Sequence, residues 1–156
     1  MELQDEITIP VSRDKVYEAL NDVAVLKACI PGCEELEREG ENDLVAKVTL
    51  KVGPVKASFG GRVTLDPSKA PDAFSLSGEG DGGIAGFAKG GADVELVEDG
   101  QQTVLRYTAK AEIGGKLAQL GGRLITSTAK KLSKMFFEKF EKLMSGEVEL
   151  ELEETS

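Results

Sequence analysis

The sequence predicts an α+β fold in which one antiparallel sheet of six to seven strands packs against a long helix at the chain end. Three observations carry that prediction. Apolar and polar residues alternate with a period of two from Glu34 to Ile113, the pattern of half-buried strands. The turns between these runs are short, which joins neighbouring strands antiparallel. From Leu117 to Leu143 the apolar residues change to helical spacing, so a single amphipathic helix follows the sheet.

The elements follow in order. "LQDEITIP" alternates and reads as a first strand that Pro10 ends, since proline cannot donate to a sheet ladder. Ser12 stands at a helix N-cap position, and Val16, Leu20 and Val23 share one face of "SRDKVYEALNDVAVLKA". Asn21-Asp22 divides this segment into two short helices, and Pro31-Gly32 closes it in a type II turn. In "VKASFGGRVTL" Val55, Ala57, Phe59, Gly61, Val63 and Leu65 fall on one face and Lys56, Ser58, Arg62 and Thr64 on the other. "DLVAKVTLKV", "DAFSLSGEGD", "ADVELVED" and "QQTVLRYTAKAEI" behave similarly, and "VGPV", "DPSKAPD" and "EDGQQ" are the turns. Leu117, Leu120, Leu124, Ile125, Leu132, Met135, Phe136, Phe140 and Leu143 then place a helix of about 28 residues after Gly114-Gly115, stopped by Ser145-Gly146.

Composition narrows the function. The chain of 156 residues is long enough for one hydrophobic core without disulfide support. A net charge of −9 disfavours nucleic acid, whose phosphates are held by Lys and Arg. The charge is uneven: residues 114–144 hold seven Lys or Arg against two Glu. That strip reads either as a solvated helix face or as a surface for an acidic partner or lipid headgroups. There is no histidine, which removes the commonest general acid/base and every Ser-His or Cys-His nucleophile. No catalytic residue, cofactor or metal ligand set is therefore assigned. "MELQDEITIP" has neither a basic start nor an apolar core, so a cytoplasmic protein is expected. No apolar run reaches the length of a bilayer span, and any membrane contact is expected to be peripheral.

The motifs that promise chemistry fail on context. "GEGDGG" at 78–83 matches a dinucleotide fingerprint in form, but Glu79 and Asp81 repel phosphate and no helix follows; it reads as a flexible or bulged hairpin, "GDGGIAGFAKGG", able to gate a cavity mouth. Ser12/Lys15 and Ser127/Lys130 fit S-x-x-K without the companion elements of that chemistry. Cys29 and Cys33 supply two thiols with no second ligand pair for a metal. They also lack redox spacing, so they read as thiols flanking a structural turn.

The inner face of the expected sheet is lined with small residues: Ala46, Ala57, Gly61, Gly78, Gly80, Ala92, Ala109 and Ala111. Either they leave an apolar cavity under the helix, or they let elements approach closely and mark bends and bulges.

Four blocks, "VYEALNDVAVLKACIPGCEEL", "KVTLKVGPVKASFGGRVTL", "SGEGDGGIAGFAKGGADVEL" and "TVLRYTAKAEIGGKLAQLGGRLI", resemble in order those of the CoxG family of carbon monoxide dehydrogenase proteins. Cys-Ile-Pro-Gly at 29–32, Val-Gly-Pro-Val at 52–55 and Gly-Gly-Lys-Leu-Ala-Gln-Leu-Gly at 114–121 are the most specific parts, and the resemblance spans about residues 3–144. It implies the helix-grip fold of the Bet v 1/START-like (SRPBCC) superfamily, a curved sheet around a long C-terminal helix with two short helices after strand one. It also implies an accessory role beside a molybdenum hydroxylase of the carbon monoxide dehydrogenase type, in membrane association or electron delivery to quinone. The resulting expectation is a non-catalytic carrier of a hydrophobic small molecule, a quinone or a lipid. Phe59, Phe74, Phe87, Tyr107, Leu117, Leu120 and Leu124 are expected to line its site, with Gly121 and Gly122 thinning the helix. Ile30, Pro31, Lys130 and Lys134 are expected at a partner surface. A ligand-free interaction scaffold, or an assembly or membrane-recruitment factor for such an enzyme, is the alternative. Residues 1–146 are read as the domain, and the glutamate-rich 147–156 as an acidic tail or short edge strand that an anionic lipid surface would repel.

Overall fold

A computed structural model describes residues 1–147; the final acidic segment, from 148 on, lies outside the described residues. Seven strands form one antiparallel sheet: β1 (Glu2–Ile9), β2 (Cys33–Arg38), β3 (Asp43–Val52), β4 (Val55–Asp66), β5 (Ala73–Asp81), β6 (Phe87–Asp99) and β7 (Gln102–Gly114). Their spatial order is β1-β7-β6-β5-β4-β3-β2. β2 to β7 are thus a continuous meander, and β1 pairs on β7 from Glu2 opposite Lys110 to Ile9 opposite Thr103. Two short helices, α1 (Arg13–Leu20) and α2 (Val23–Cys29), follow β1, and α3 (Gly122–Ser145) ends the domain. This is the helix-grip order of elements.

Local chemistry explains the joints. Ser12 precedes α1 but makes no side-chain cap, whereas the Asp22 carboxylate accepts from the amides of Ala24 and Val25 and starts α2. Pro31-Gly32 forms the expected turn: the Cys33 amide donates to the Ile30 carbonyl at 3.2 Å, and Gly32 has φ of 74°. A side chain there would also collide with the Thr49 carbonyl of β3, so the turn docks directly on the sheet. α3 ends on Gly146 in the left-handed region.

The terminal helix departs from expectation at its start. Gly115–Leu120 is a short 3-10 segment, and Gly121 with φ of 92° separates it from α3. Leu117 and Leu120 therefore lie before the helix. The glycine pair breaks the apolar stripe instead of thinning one continuous helix, because helical backbone cannot pass through a positive φ.

The interior is filled at one end only. Phe140 of α3, fully buried, packs with Ile9, Val16, Leu20, Val25, Cys29, Phe74, Leu96 and Leu105. Phe136 stacks on Phe140, and Phe137 on Tyr107. Thr103, also fully buried, donates its hydroxyl to the Val11 carbonyl at 2.8 Å, so its burial leaves no unpaired polar atom there. A second cluster of Leu36, Leu44 and Leu65 closes the β2 side. Outside, Arg13 ties α1 to Asp72 at 2.6 Å and approaches Glu98 at 3.6 Å.

Candidate functional site

The opposite end of the grip is built differently. Four segments meet there: the β3–β4 turn, the 3-10 turn Gly83–Ala85, the 3-10 segment Gly115–Leu120 and the first turns of α3. Leu124 lies directly against Gly53 of the β3–β4 turn, and the Phe59 ring lies against Gly82. Gly86 and Gly115 approach so closely that a side chain on either would strike the other segment's backbone. These contacts frame a mouth, and the sheet's concave face runs inward from it.

Along that inner face the side chains are apolar but only half-buried: Val48 and Leu50 on β3, Ala57 and Phe59 on β4, Ala88 and Ala92 on β6, Ala109, Ala111 and Ile113 on β7. On α3 the facing residues Leu124, Ile125, Thr128 and Leu132 are half-buried too. Solvent therefore reaches apolar surface in the mouth half of the grip, while the Phe140 half is sealed. Aromatic volume makes the difference, since Phe136, Phe137 and Phe140 all project from the second half of α3.

The glycines on this face divide into two kinds. A Cβ on Gly61, Gly78 or Gly90 would stand 2.9, 2.9 or 2.1 Å from a carbonyl oxygen of the neighbouring strand. Those positions require glycine because strand backbones close on one another where the sheet bends. Gly80 is different, for its Cβ would meet nothing nearer than 3.8 Å. Bending and space are thus both present: the tight glycines curve the sheet, and the curvature makes the concavity that Gly80 faces.

The expected lining residues separate accordingly. Phe59, Leu117, Leu120 and Leu124 gather at the mouth, with Leu117 buried and the others half-buried. Tyr107 stands deeper, stacked on Phe137 at 5.4 Å, at the border of the sealed core. Phe74 lies within that core, edge-on to Tyr17. Phe87 is on the other face of the sheet. It pairs with Gly114 and its ring covers that glycine, and it borders an outer depression of about 750 Å³ with Val45, Arg62, Glu79 and Lys89. Sequence reading did not select Ile113, Ile125 or Leu132; strand alternation and helical spacing carried the signal, but aromatic residues drew the choice.

Of the expected partner-surface residues, Ile30 packs beside the Leu36 cluster and Pro31 is half-buried in the turn. Lys130 and Lys134 are exposed and border an open groove of about 660 Å³ between β1 and α3, with Asp5, Tyr107 and Phe137. Lys134 lies 4.0 Å from Glu138. Cys29 is buried and Cys33 half-buried, both as free thiols. Burial pushes the Cys29 thiol up to about 11 against the pull of Lys139, and burial raises Cys33 as well, the opposite of an activated thiolate. Among the described residues no group of three or more Cys, Asp or Glu is placed to hold a metal ion, and no helix is long and apolar enough to cross a membrane.

Comparison with known proteins agrees with this geometry. A conserved protein from Geobacillus kaustophilus is 30% identical, with a TM-score of 0.88 over 94% of this chain and 96% of that one. A START superfamily protein from Mycobacterium smegmatis is 12% identical with a TM-score of 0.74, covering 94% of this chain and 99% of its own. The Zhui aromatase/cyclase from Streptomyces sp. R1128 is 14% identical with a TM-score of 0.70, over 96% of each chain. The last two share the fold. A search of curated proteins found no match. The sequence model for the carbon monoxide dehydrogenase protein CoxG matches residues 6–145, nearly the whole described domain, and the chain belongs to the carbon monoxide dehydrogenase CoxG family.

Proposed function

We propose that this protein is a non-catalytic carrier that holds an elongated apolar molecule, a quinone or a lipid, between the first half of α3 and the sheet, and serves a molybdenum hydroxylase of the carbon monoxide dehydrogenase type. The observation that carries the reading is the contrast between the two halves of the grip. Apolar side chains that remain half-wet at the mouth gain free energy when a ligand covers them, at roughly 25 cal/mol per Å² of apolar surface removed from water. The family name and the START-like fold support an accessory, ligand-holding role. Aromatase/cyclase and norcoclaurine synthase share the fold, but the present chain has no histidine, and no carboxylate stands among the half-buried residues named at the mouth. The carrier is proposed to act in the cytoplasm, at the periphery of the inner membrane face.

Native mass spectrometry after incubation with quinone-containing vesicles tests the proposal. A mass increment matching one quinone or lipid is expected; protein that stays ligand-free with every vesicle type contradicts it. The scaffold reading rests on a different observation, the exposed Lys130 and Lys134 on α3. It predicts that capture of the partner hydroxylase is lost in a Lys130→Glu/Lys134→Glu variant whether or not a ligand is bound.

A further inference from the structure

The two ends of the sheet carry opposite charge. Antiparallel pairing gathers the loops 10–15, 38–43, 66–72 and 98–101 at the sealed end, and these hold eight acidic and four basic residues. The mouth is formed by segments 51–56, 82–87 and 114–124, which contain Lys51, Lys56, Lys116 and Arg123 and no acidic residue. All four cations are exposed, and none is in an ion pair among the described residues. The nearest carboxylates in sequence are Asp81, which accepts from the Gly83 amide, and Glu112 at the end of β7.

At the centre of this basic rim stands Ile84. It is 93% exposed, the most exposed of the large apolar residues described, on a 3-10 turn flanked by Gly82, Gly83 and Gly86. An aliphatic side chain presented to water by glycines contributes nothing to the core. Placed beside unpaired cations it has the chemistry of an interfacial anchor, in which an apolar tip enters the headgroup boundary while Lys and Arg meet anionic lipid.

We infer that the mouth is a membrane-docking surface: Ile84 inserts into an anionic lipid leaflet, Lys51, Lys56, Lys116 and Arg123 hold the rim against it, and an apolar ligand passes between bilayer and grip without crossing water. The inference rests on the carrier reading and adds the surface through which loading occurs. Sealed-end acidity supplies orientation, because an anionic leaflet repels that end and attracts the mouth.

Vesicle flotation tests the inference with phosphatidylcholine alone and with phosphatidylcholine and phosphatidylglycerol at about 3:1. The native chain is expected to float with the mixed vesicles and not with the neutral ones. Ile84→Asp is expected to lower partitioning at least about tenfold, the loss of one buried aliphatic side chain. Lys51→Gln/Lys56→Gln is expected to lower it by a similar factor, at roughly fivefold per lysine. Lys69→Gln at the sealed end is expected to leave it unchanged. Titration with a detergent-solubilised short-chain quinone, in the absence of vesicles, reports ligand binding separately and should be the same for Ile84→Asp as for the native chain. Equal flotation of Ile84→Asp and the native chain, or binding indifferent to phosphatidylglycerol, overturns the docking surface while the quinone titration still reports on the carrier. Circular dichroism verifies that the variants fold.

Discussion

Gly80 offers the sharpest separation between a ligand site and ordinary packing. Its Cβ position is open to 3.8 Å, its φ is not positive, and its partners Gly61 and Ala88 leave the concave side uncrowded. Gly80→Leu therefore adds an apolar side chain to the space beneath α3 without striking backbone. If that space is open, the strand gains about 0.5–1 kcal/mol from removal of a glycine, and the melting temperature holds or rises slightly. If α3 already fills it, overpacking costs about 1–3 kcal/mol, which lowers Tm by roughly 2–12 °C for a domain of this size. Ligand binding should move the other way, because a leucine in the trough excludes part of the ligand: quinone affinity should fall at least about tenfold, equivalent to about 1.4 kcal/mol. Differential scanning fluorimetry and quinone titration on the same preparation read both effects. A destabilised variant, or a stable one with native affinity, refutes the argument that the mouth half is an apolar ligand space. Gly78→Leu serves as the contrast, since its Cβ would stand 2.9 Å from the Arg62 carbonyl; it should lose stability regardless of ligand.

Other outcomes follow from the same structure. Phe140→Ala removes a fully buried ring from the sealed core and should cost about 3–5 kcal/mol in denaturant unfolding, against much less for Leu124→Ala at the half-wet mouth. Leu124→Ala should instead weaken ligand binding, as measured by the same titration. Thr103→Val leaves the Val11 carbonyl without its donor and should cost about 1–3 kcal/mol. Because burial lifts the Cys29 thiol from 9.0 to about 11, the neutral form is favoured in the folded chain. The associated stability is fully present below pH 9 and is lost as pH rises toward 11, with a size of about 2–3 kcal/mol. Chemical denaturation across that range should show the loss, and Cys29→Val should flatten it; at about pH 8 Cys33 should react with a thiol reagent before Cys29.

Sequence periodicity carried the architecture because it follows directly from burial. Val55 to Leu65 alternate in β4 as written, and Pro31-Gly32 turns where proline and glycine chemistry requires. What periodicity could not carry was decided by contacts distant in sequence. Leu117 and Leu120 keep helical spacing, yet Gly121 takes a positive φ and the segment folds as a separate 3-10 piece. Phe87 had the composition of a pocket residue, but its parity is set by the 3-10 turn before β6, and that parity sends it to the outer face. Phe74 points inward but lies at the end that Phe140 fills. The small inner residues looked alike in the sequence, and the proximity of neighbouring carbonyls separates Gly61 and Gly78 from Gly80.

Photo-crosslinking with a quinone bearing a diazirine on its isoprenoid tail tests the central claim most directly, because it reports where the ligand sits. The account predicts adducts on peptides containing Phe59, Leu124, Ile125 and Leu132, lost on competition with unlabelled quinone and reduced in Gly80→Leu. Adducts confined to the outer face around Phe87, Arg62 and Lys89, or no competable adduct at all, would contradict it.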